Sequence, residues 1–422
     1  MSYTIGVVLF ALGLLLSVVL HEAGHMLAAK AFGMRVTRFF AGFGPTVWSF
    51  RKGETEYGFK AVPLGGFVNI IGMAPGVEEP EGEETERQGR AFWQKPLWQR
   101  TLVLSAGSLV HLMIAVILLV PAFWLFGIPT PKALNETPAV VGSVAECVVP
   151  KYELTDQGGL RACTTADPVS PAKQAGLQRD DRIVSLGGTE IPSYAAFQKA
   201  IREQNAGEPV ELVYTRDGQT RTAQITLVNT ERPPLDAPAG DTTTVATPTI
   251  GITNLTETTN VHYGFVESVG KSFTSTGDTI VAGYEAIARL PSKISSLWSA
   301  LWGAERSQDD PISVVGASRI GGEIVETSGI DGAATFLAIL AGLNVFLGLF
   351  NMLPLPPLDG GHIAVAWYEA ARRKLALRRR RPDPGPVDRE KLIPVTLVII
   401  AIFGAFTLLT VSVDVVNPIR LN

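Results

Sequence analysis

Four stretches of the chain, residues 4–20, 101–128, 332–358 and 392–413, contain no Asp, Glu, Lys or Arg. Each is close to or above the roughly 20 apolar residues that a helix needs to cross hydrocarbon. The pattern predicts a multi-spanning α-helical membrane protein with four transmembrane segments, assigned to residues 1–34, 101–128, 332–362 and 392–416. Within the 35–100 loop, residues 45–71 read as strands and turns rather than helix. Thr46-Val-Trp-Ser-Phe50, Gly53 and Glu56-Tyr-Gly-Phe-Lys-Ala-Val62 predict a hairpin, followed by Pro63-Leu-Gly-Gly-Phe-Val68. Non-helical backbone at membrane depth must be buried in protein or line a wet cavity. This membrane-associated β-sheet is therefore expected below the bilayer or dipping into a cavity. Residues 77–87 carry six Glu among Pro and Gly, the composition of a disordered stretch. Residues 91–100, with two tryptophans and basic side chains, read as an interfacial anchor.

Residues 129–230 have a different texture: short β-like runs at 139–144, 182–186, 210–215 and 221–228, and a helix over 193–203 capped by Ser193. These predict an inserted α+β domain. Residues 231–331 are expected to hold a linker, Thr/Pro-rich over 229–260, and amphipathic interfacial helices. Ile287, Leu290, Ile294, Leu297, Trp298, Leu301 and Trp302 recur at helical spacing. Pro291 is expected to kink or break that helix. It is read as lying in the membrane interface, with packing against the bundle as the alternative.

Composition supports a membrane protein: mean hydropathy is +0.22, with 46% apolar and 18% charged residues. A signal peptide fits the first run poorly, because no Lys or Arg precedes it. Basic residues follow it instead, at Lys30, Arg35 and Arg38, and nine more Lys/Arg lie in residues 363–391. The positive-inside rule then makes 35–100 and 363–391 cytoplasmic loops and places the 129–331 region outside. The Arg378–Arg381 run reads as an anchor to anionic lipid. Residues 129–333 hold 25 Asp/Glu against 16 Lys/Arg, which gives no sign of nucleic-acid binding. Cys147 and Cys163 fall in that external region; an oxidising compartment favours a disulfide, with two free thiols the alternative.

The chemistry concentrates at the ends of two spans. His21-Glu-Ala-Gly-His25 matches the H-E-x-x-H zinc pattern. Residues i and i+4 share a helix face about 6 Å apart along the axis, so both imidazoles reach one ion. Glu22, beside them, is placed to take a proton from water that zinc has acidified to a pKa of about 7. The motif continues an uncharged run, where ionisable groups need a partner, and a metal supplies one. The alternative is a cytoplasmic helix end with solvated histidines. A catalytic zinc usually takes three protein ligands. Asp359, the only carboxylate between Asp331 and Glu369, sits at the matching end of the third span. His362, three residues on, is the rival ligand, read as structural.

HEAGH at the end of span one, PLGGFV in the following loop and NMLPLPPLDGG in span three together resemble the site-2 protease family of intramembrane zinc proteases. Ser170-Pro-Ala-Lys-Gln-Ala-Gly-Leu177 followed by Asp180-Asp-Arg-Ile-Val-Ser-Leu-Gly-Gly188 resembles a PDZ domain, with Asp180 where that pattern often has Gly. One such domain between spans two and three makes the chain look like the bacterial branch that cleaves membrane-bound anti-sigma factors. The resemblance implies zinc held by His21, His25 and Asp359, with Glu22 as general base. It implies substrate contacts from Asn351 and Pro354, and from Gly65, Gly66 and Phe67 through strand addition. It also implies single-pass membrane substrates, anti-sigma-factor-like and already trimmed, cut in the bacterial cytoplasmic membrane with the PDZ-like domain outside. Two positions depart from the family: Ala106-Gly-Ser-Leu-Val-His111 replaces Ala-Gly-Pro-x-x-Asn, and Val315-Gly-Ala-Ser318 replaces Gly-Pro-Val-Gly. A non-proteolytic PDZ-bearing scaffold and a metal transporter are the competing readings. Three ligands with an intact Glu22 argue against the first, and the lack of a repeated half argues against the second.

Overall fold

The computed structural model describes residues 1–73, 88–151, 161–234, 243–255, 258–304, 306–307, 309–382, 385, 387 and 389–419. The acidic 77–87 stretch lies outside the described residues. The chain divides into two compact units, one of residues 1–128 with 261–422 and the other of residues 129–260.

The first unit is a helical bundle which, among the described residues, has four helices long and apolar enough to cross a membrane. α1 (Ser2–Ala31) continues the first apolar run through the HEAGH residues. It stops at Gly33, whose φ of +68° suits glycine, with Met34 N–H bonded back to the Ala29 carbonyl at 2.9 Å. β1 (Val36–Lys52) and β2 (Thr55–Ile70) then form one long antiparallel hairpin. The hairpin is folded over on itself: Arg38–Ala41 face Gly66–Asn69 on one side and Glu56–Phe59 on the other. Residues 66–70 are left at an edge, and no other strand among the described residues pairs with them.

α2 (Leu97–Pro121) is followed, after the second unit, by α3 (Phe265–Leu301), α4 (Val314–Ser328), α5 (Ala333–Asn351), α6 (Asp359–Arg378) and α7 (Ile393–Val416). Close helix crossings rest on small residues, as expected where lipid supplies no hydrophobic drive for association. A Cβ on Gly6 of α1 would meet the Gly321 carbonyl of α4 at 2.7 Å. α7 exposes Leu397, Val398, Ile402 and Leu408, as a lipid-facing helix should. Its far end is pinned by Asp414, which accepts from Arg306 at 2.6 Å and from the Ser313 amide at 2.6 Å.

Two expectations are corrected here. α3 runs unbroken through Pro291, and Ile280 and Ile287 pack into a cluster with Leu119, Val345 and Leu349 of α2 and α5. Packing against the bundle is thus the arrangement found. The third segment does not continue to residue 362. α5 ends at Asn351, residues 352–358 are non-helical, and α6 begins at Asp359 and occupies much of the stretch read as a basic loop. Pro354, Pro356 and Pro357 remove the amides a continuous helix needs.

The second unit contains a four-stranded antiparallel sheet in the order 189–190, 182–186, 209–216, 219–226. The helix Tyr194–Arg202 covers it, capped by the Ser193 hydroxyl. Ile183, Leu186, Phe197, Leu212, Ile225 and Leu227 form the core. The 229–260 stretch read as linker also forms strands: 228–232 pairs with 245–249, and 252–254 pairs with 141–144. Residues 235–242 and 256–257 within it lie outside the described residues. Cys147 and Cys163 are joined in a disulfide, with Cα atoms 5.8 Å apart.

Asp181 ties this unit together. Its carboxylate takes two bonds of 2.7 Å from Arg216 and one of 2.7 Å from the Gln178 amide. Burial pushes its pKa up, but Arg216 and Gln178 outweigh that and hold it below the usual carboxylate range. The preceding Asp180 has a φ of +71°, a backbone conformation that glycine adopts at less cost than a residue with a Cβ. Asp180→Gly should stabilise the unit by about 1 kcal/mol, read as slower amide hydrogen exchange at Ile183 and Leu212. Unchanged or faster exchange would mean that the Asp180 side chain supplies a compensating contact.

Candidate active site

Helical geometry on α1 puts His21 and His25 on one face, and the two Nε2 atoms lie 3.1 Å apart. Asp359, the first residue of α6, brings Oδ2 to 3.3 Å from each. Among the described residues, these three are the group of His, Cys, Asp and Glu that could hold a metal ion. His362 stands outside the cluster.

The arrangement fits zinc on its own geometry. Bonds of about 2.0–2.2 Å in a tetrahedron put ligand atoms about 3.3–3.6 Å apart, close to the observed triangle. Asp359 Oδ2 is buried and receives no well-aligned hydrogen bond, so it is an anionic oxygen lacking a donor. His25 Nδ1 lies 2.7 Å from the Val103 carbonyl. A carbonyl can only accept, so Nδ1 carries the proton and Nε2 presents its lone pair to the cluster.

Three elements shape the surroundings. Gly107 of α2 abuts both rings: a Cβ there would lie 2.5 Å from His21 Cε1 and from His25 Nε2. Gly24 lets α1 approach α2, since its Cβ would meet the Ala106 carbonyl at 2.8 Å. The loop before Asp359 folds over Gly361, whose Cβ would sit 2.6 Å from the Leu355 carbonyl carbon. Glycines thus hold the site closed from two sides. The same loop carries Pro354, and Asn351 marks where it leaves α5.

The free sheet edge lies against Glu22. A Cβ on Gly66 would be 3.4 Å from Glu22 Cγ, and the Val68 backbone lies close to the Glu22 carboxylate. Gly65 has a φ of +106°, and Phe67 stacks on Phe40 with ring centres 5.6 Å apart. Sequence reasoning named Glu22, His21, His25, Asp359 and the PLGGFV edge, which lie together here. It missed the supporting roles of Gly107 and Val103, and the contact between His111 and His21, whose ring centres lie 4.9 Å apart. The small Ala106-Gly107 pair in an otherwise bulky span was the available signal for the first.

Fold and site define a multi-pass membrane metallopeptidase. A family model described as peptidase family M50 matches residues 9–381, and the chain belongs to that family. Zinc metalloprotease Rip1 of Mycobacterium tuberculosis is 40% identical over 421 residues, covering 100% of both chains. Zinc metalloprotease Rip1 of Mycolicibacterium smegmatis is 40% identical over 425 residues, again covering 100% of both. The regulator of sigma E protease of Haemophilus influenzae is 25% identical, covering 96% of this chain and 98% of the relative. The protein is accordingly a zinc metalloprotease.

Gly107→Ala should drive the two imidazoles apart, with loss of most of the bound zinc from the purified protein by elemental analysis. Gly342→Ala, where an added Cβ meets nothing within 4 Å, is the control and should retain zinc. Full zinc content in the Gly107 variant would show that α2 does not set the ring positions.

Proposed function

We propose that this chain cuts peptide bonds within or next to transmembrane segments, with His21, His25 and Asp359 holding zinc and Glu22 as general base. The observation that carries this reading is the convergence of three buried ligand atoms beside a carboxylate, where an apolar helix meets an open strand edge. When bound, zinc supplies Lewis acidity to water and to the scissile carbonyl. Glu22, packed against the 65–68 edge, takes the proton from the attacking water and passes it to the departing amine. His25 is locked in one tautomer by Val103. The 65–68 edge takes the substrate as an added strand, which suits the chemistry because a helix must unwind before its peptide bonds are accessible. Asn351 and Pro354 flank the entry to Asp359 and help seat that strand.

The substrates are single-pass membrane proteins of the anti-sigma-factor type. The name of the Haemophilus influenzae relative and the membrane spans both point to such regulatory cleavage. The second unit is a PDZ-like module on the outer side that spares substrates with bulky external domains. Its sheet and capped helix suit that role.

Glu22→Gln should abolish cleavage of a single-pass membrane substrate while leaving zinc content near wild type. Asp359→Asn should lose activity and weaken zinc binding, and His362→Ala should do less. Activity in the Glu22 variant would remove the general-base role, and a larger loss from His362→Ala would make that residue the third ligand. Removing residues 139–228 should preserve this pattern yet admit untrimmed substrates. Slower cutting of trimmed substrate, without that gain, would assign the module to recruitment.

A further inference from the structure

One buried histidine beside the cluster has no part in the reading above. His111 lies four residues beyond Gly107 on α2 and is 2% exposed. Its ring is tilted by 38° against that of His21, and its ionisable neighbours are His21, Asp359 and His25. On the other side, His111 Nδ1 is 2.9 Å from Asn344 Oδ1 of α5. Asn344 is fully buried, and its Nδ2 donates to the Leu340 carbonyl at 2.8 Å. That bond settles the amide orientation, so the oxygen faces His111 and His111 Nδ1 must donate to it. Gly348 packs on the same spot, its Cβ position 3.3 Å from His111 Cβ. His111 therefore cannot turn away without breaking a buried hydrogen bond.

His21 has no comparable tie. Its Nδ1 is buried without a hydrogen-bond partner, whereas His25 Nδ1 is held by Val103. Ring packing restrains His21 instead: His25 stands edge-on with centres 4.7 Å apart, and His111 closes the other flank.

We propose that His111, held by Asn344, is a positioning residue for the metal site, fixing the plane of the His21 ring so that Nε2 meets His25 Nε2 and Asp359 Oδ2. The inference rests on reading those three residues as zinc ligands. The competing role is polar glue between α2 and α5, which would change stability and leave the metal untouched.

The test is zinc affinity of the full-length purified protein against a competing chelator, together with the visible spectrum of the cobalt-substituted form. His21→Ala comes first: wild-type affinity there would sink the ligand assignment itself, whatever His111 does. His111→Leu should weaken zinc binding by about 10–100-fold and alter the cobalt spectrum, as loss of an outer partner does. Asn344→Leu should act in the same direction, and the double variant should lose little more than either. His111→Gln keeps a donor for Asn344 without the ring, and decides the matter if the leucine variant does not fold. It too should bind zinc more weakly. Wild-type affinity and cobalt spectrum in a folded His111 variant, with only the thermal midpoint lowered, would overturn the proposal.

Discussion

A carboxylate oxygen and two imidazole nitrogens within 3.3 Å of one another, in a bundle built to face lipid, place a demand that shapes the rest of the first unit. A charged side chain at the centre of a span costs on the order of 2.5–3.5 kcal/mol even on the lenient insertion scale, and part of that cost persists for a buried group near a span's end. Asp359 Oδ2 meets no aligned donor, so the protein's own hydrogen bonds do not offset that cost. A divalent cation at the centre of the triangle does, because it neutralises the carboxylate and binds both lone pairs at once. The bundle is arranged to keep that centre small.

Small residues and prolines do the arranging. α1 can bring its histidines against α2 only because positions 24 and 107 lack a Cβ. The third member of the triangle comes from a different element, so the chain must reverse sharply after α5. Pro354, Pro356 and Pro357 end the helix, and Gly360 and Gly361 let the loop lie on the start of α6. The bent hairpin completes the enclosure on the side of Glu22. It contributes backbone rather than a charged side chain, which is the kind of group an extended peptide pairs with.

Much of this was legible in the sequence where the signal was local. Uncharged runs marked the spans, a five-residue motif marked the imidazoles, and a lone acid in an apolar context marked Asp359. Long-range and compensating features were not. α6 has no long uncharged apolar run to mark it, yet its Ala, Leu, Arg and Lys residues are good helix formers. Pro291 leaves α3 intact because packing on α2, α5 and α7 holds the helix on both sides of it. The Thr/Pro-rich 229–260 stretch forms strands through pairing that its own composition does not announce, with Pro248 in a two-stranded ribbon where one missing donor is tolerated. Asn344 and His111 are 233 residues apart, and nothing in either neighbourhood names the other.

The central claim is that zinc sits on two imidazoles and one carboxylate supplied by His21, His25 and Asp359. X-ray absorption spectroscopy of the zinc-loaded protein in detergent tests it most directly. The account predicts a four-coordinate ion with light-atom ligands at about 2.0–2.2 Å, two of them imidazoles, and a changed oxygen shell in Asp359→Asn. Three imidazoles in the wild type, with a spectrum indifferent to Asp359→Asn, would contradict it.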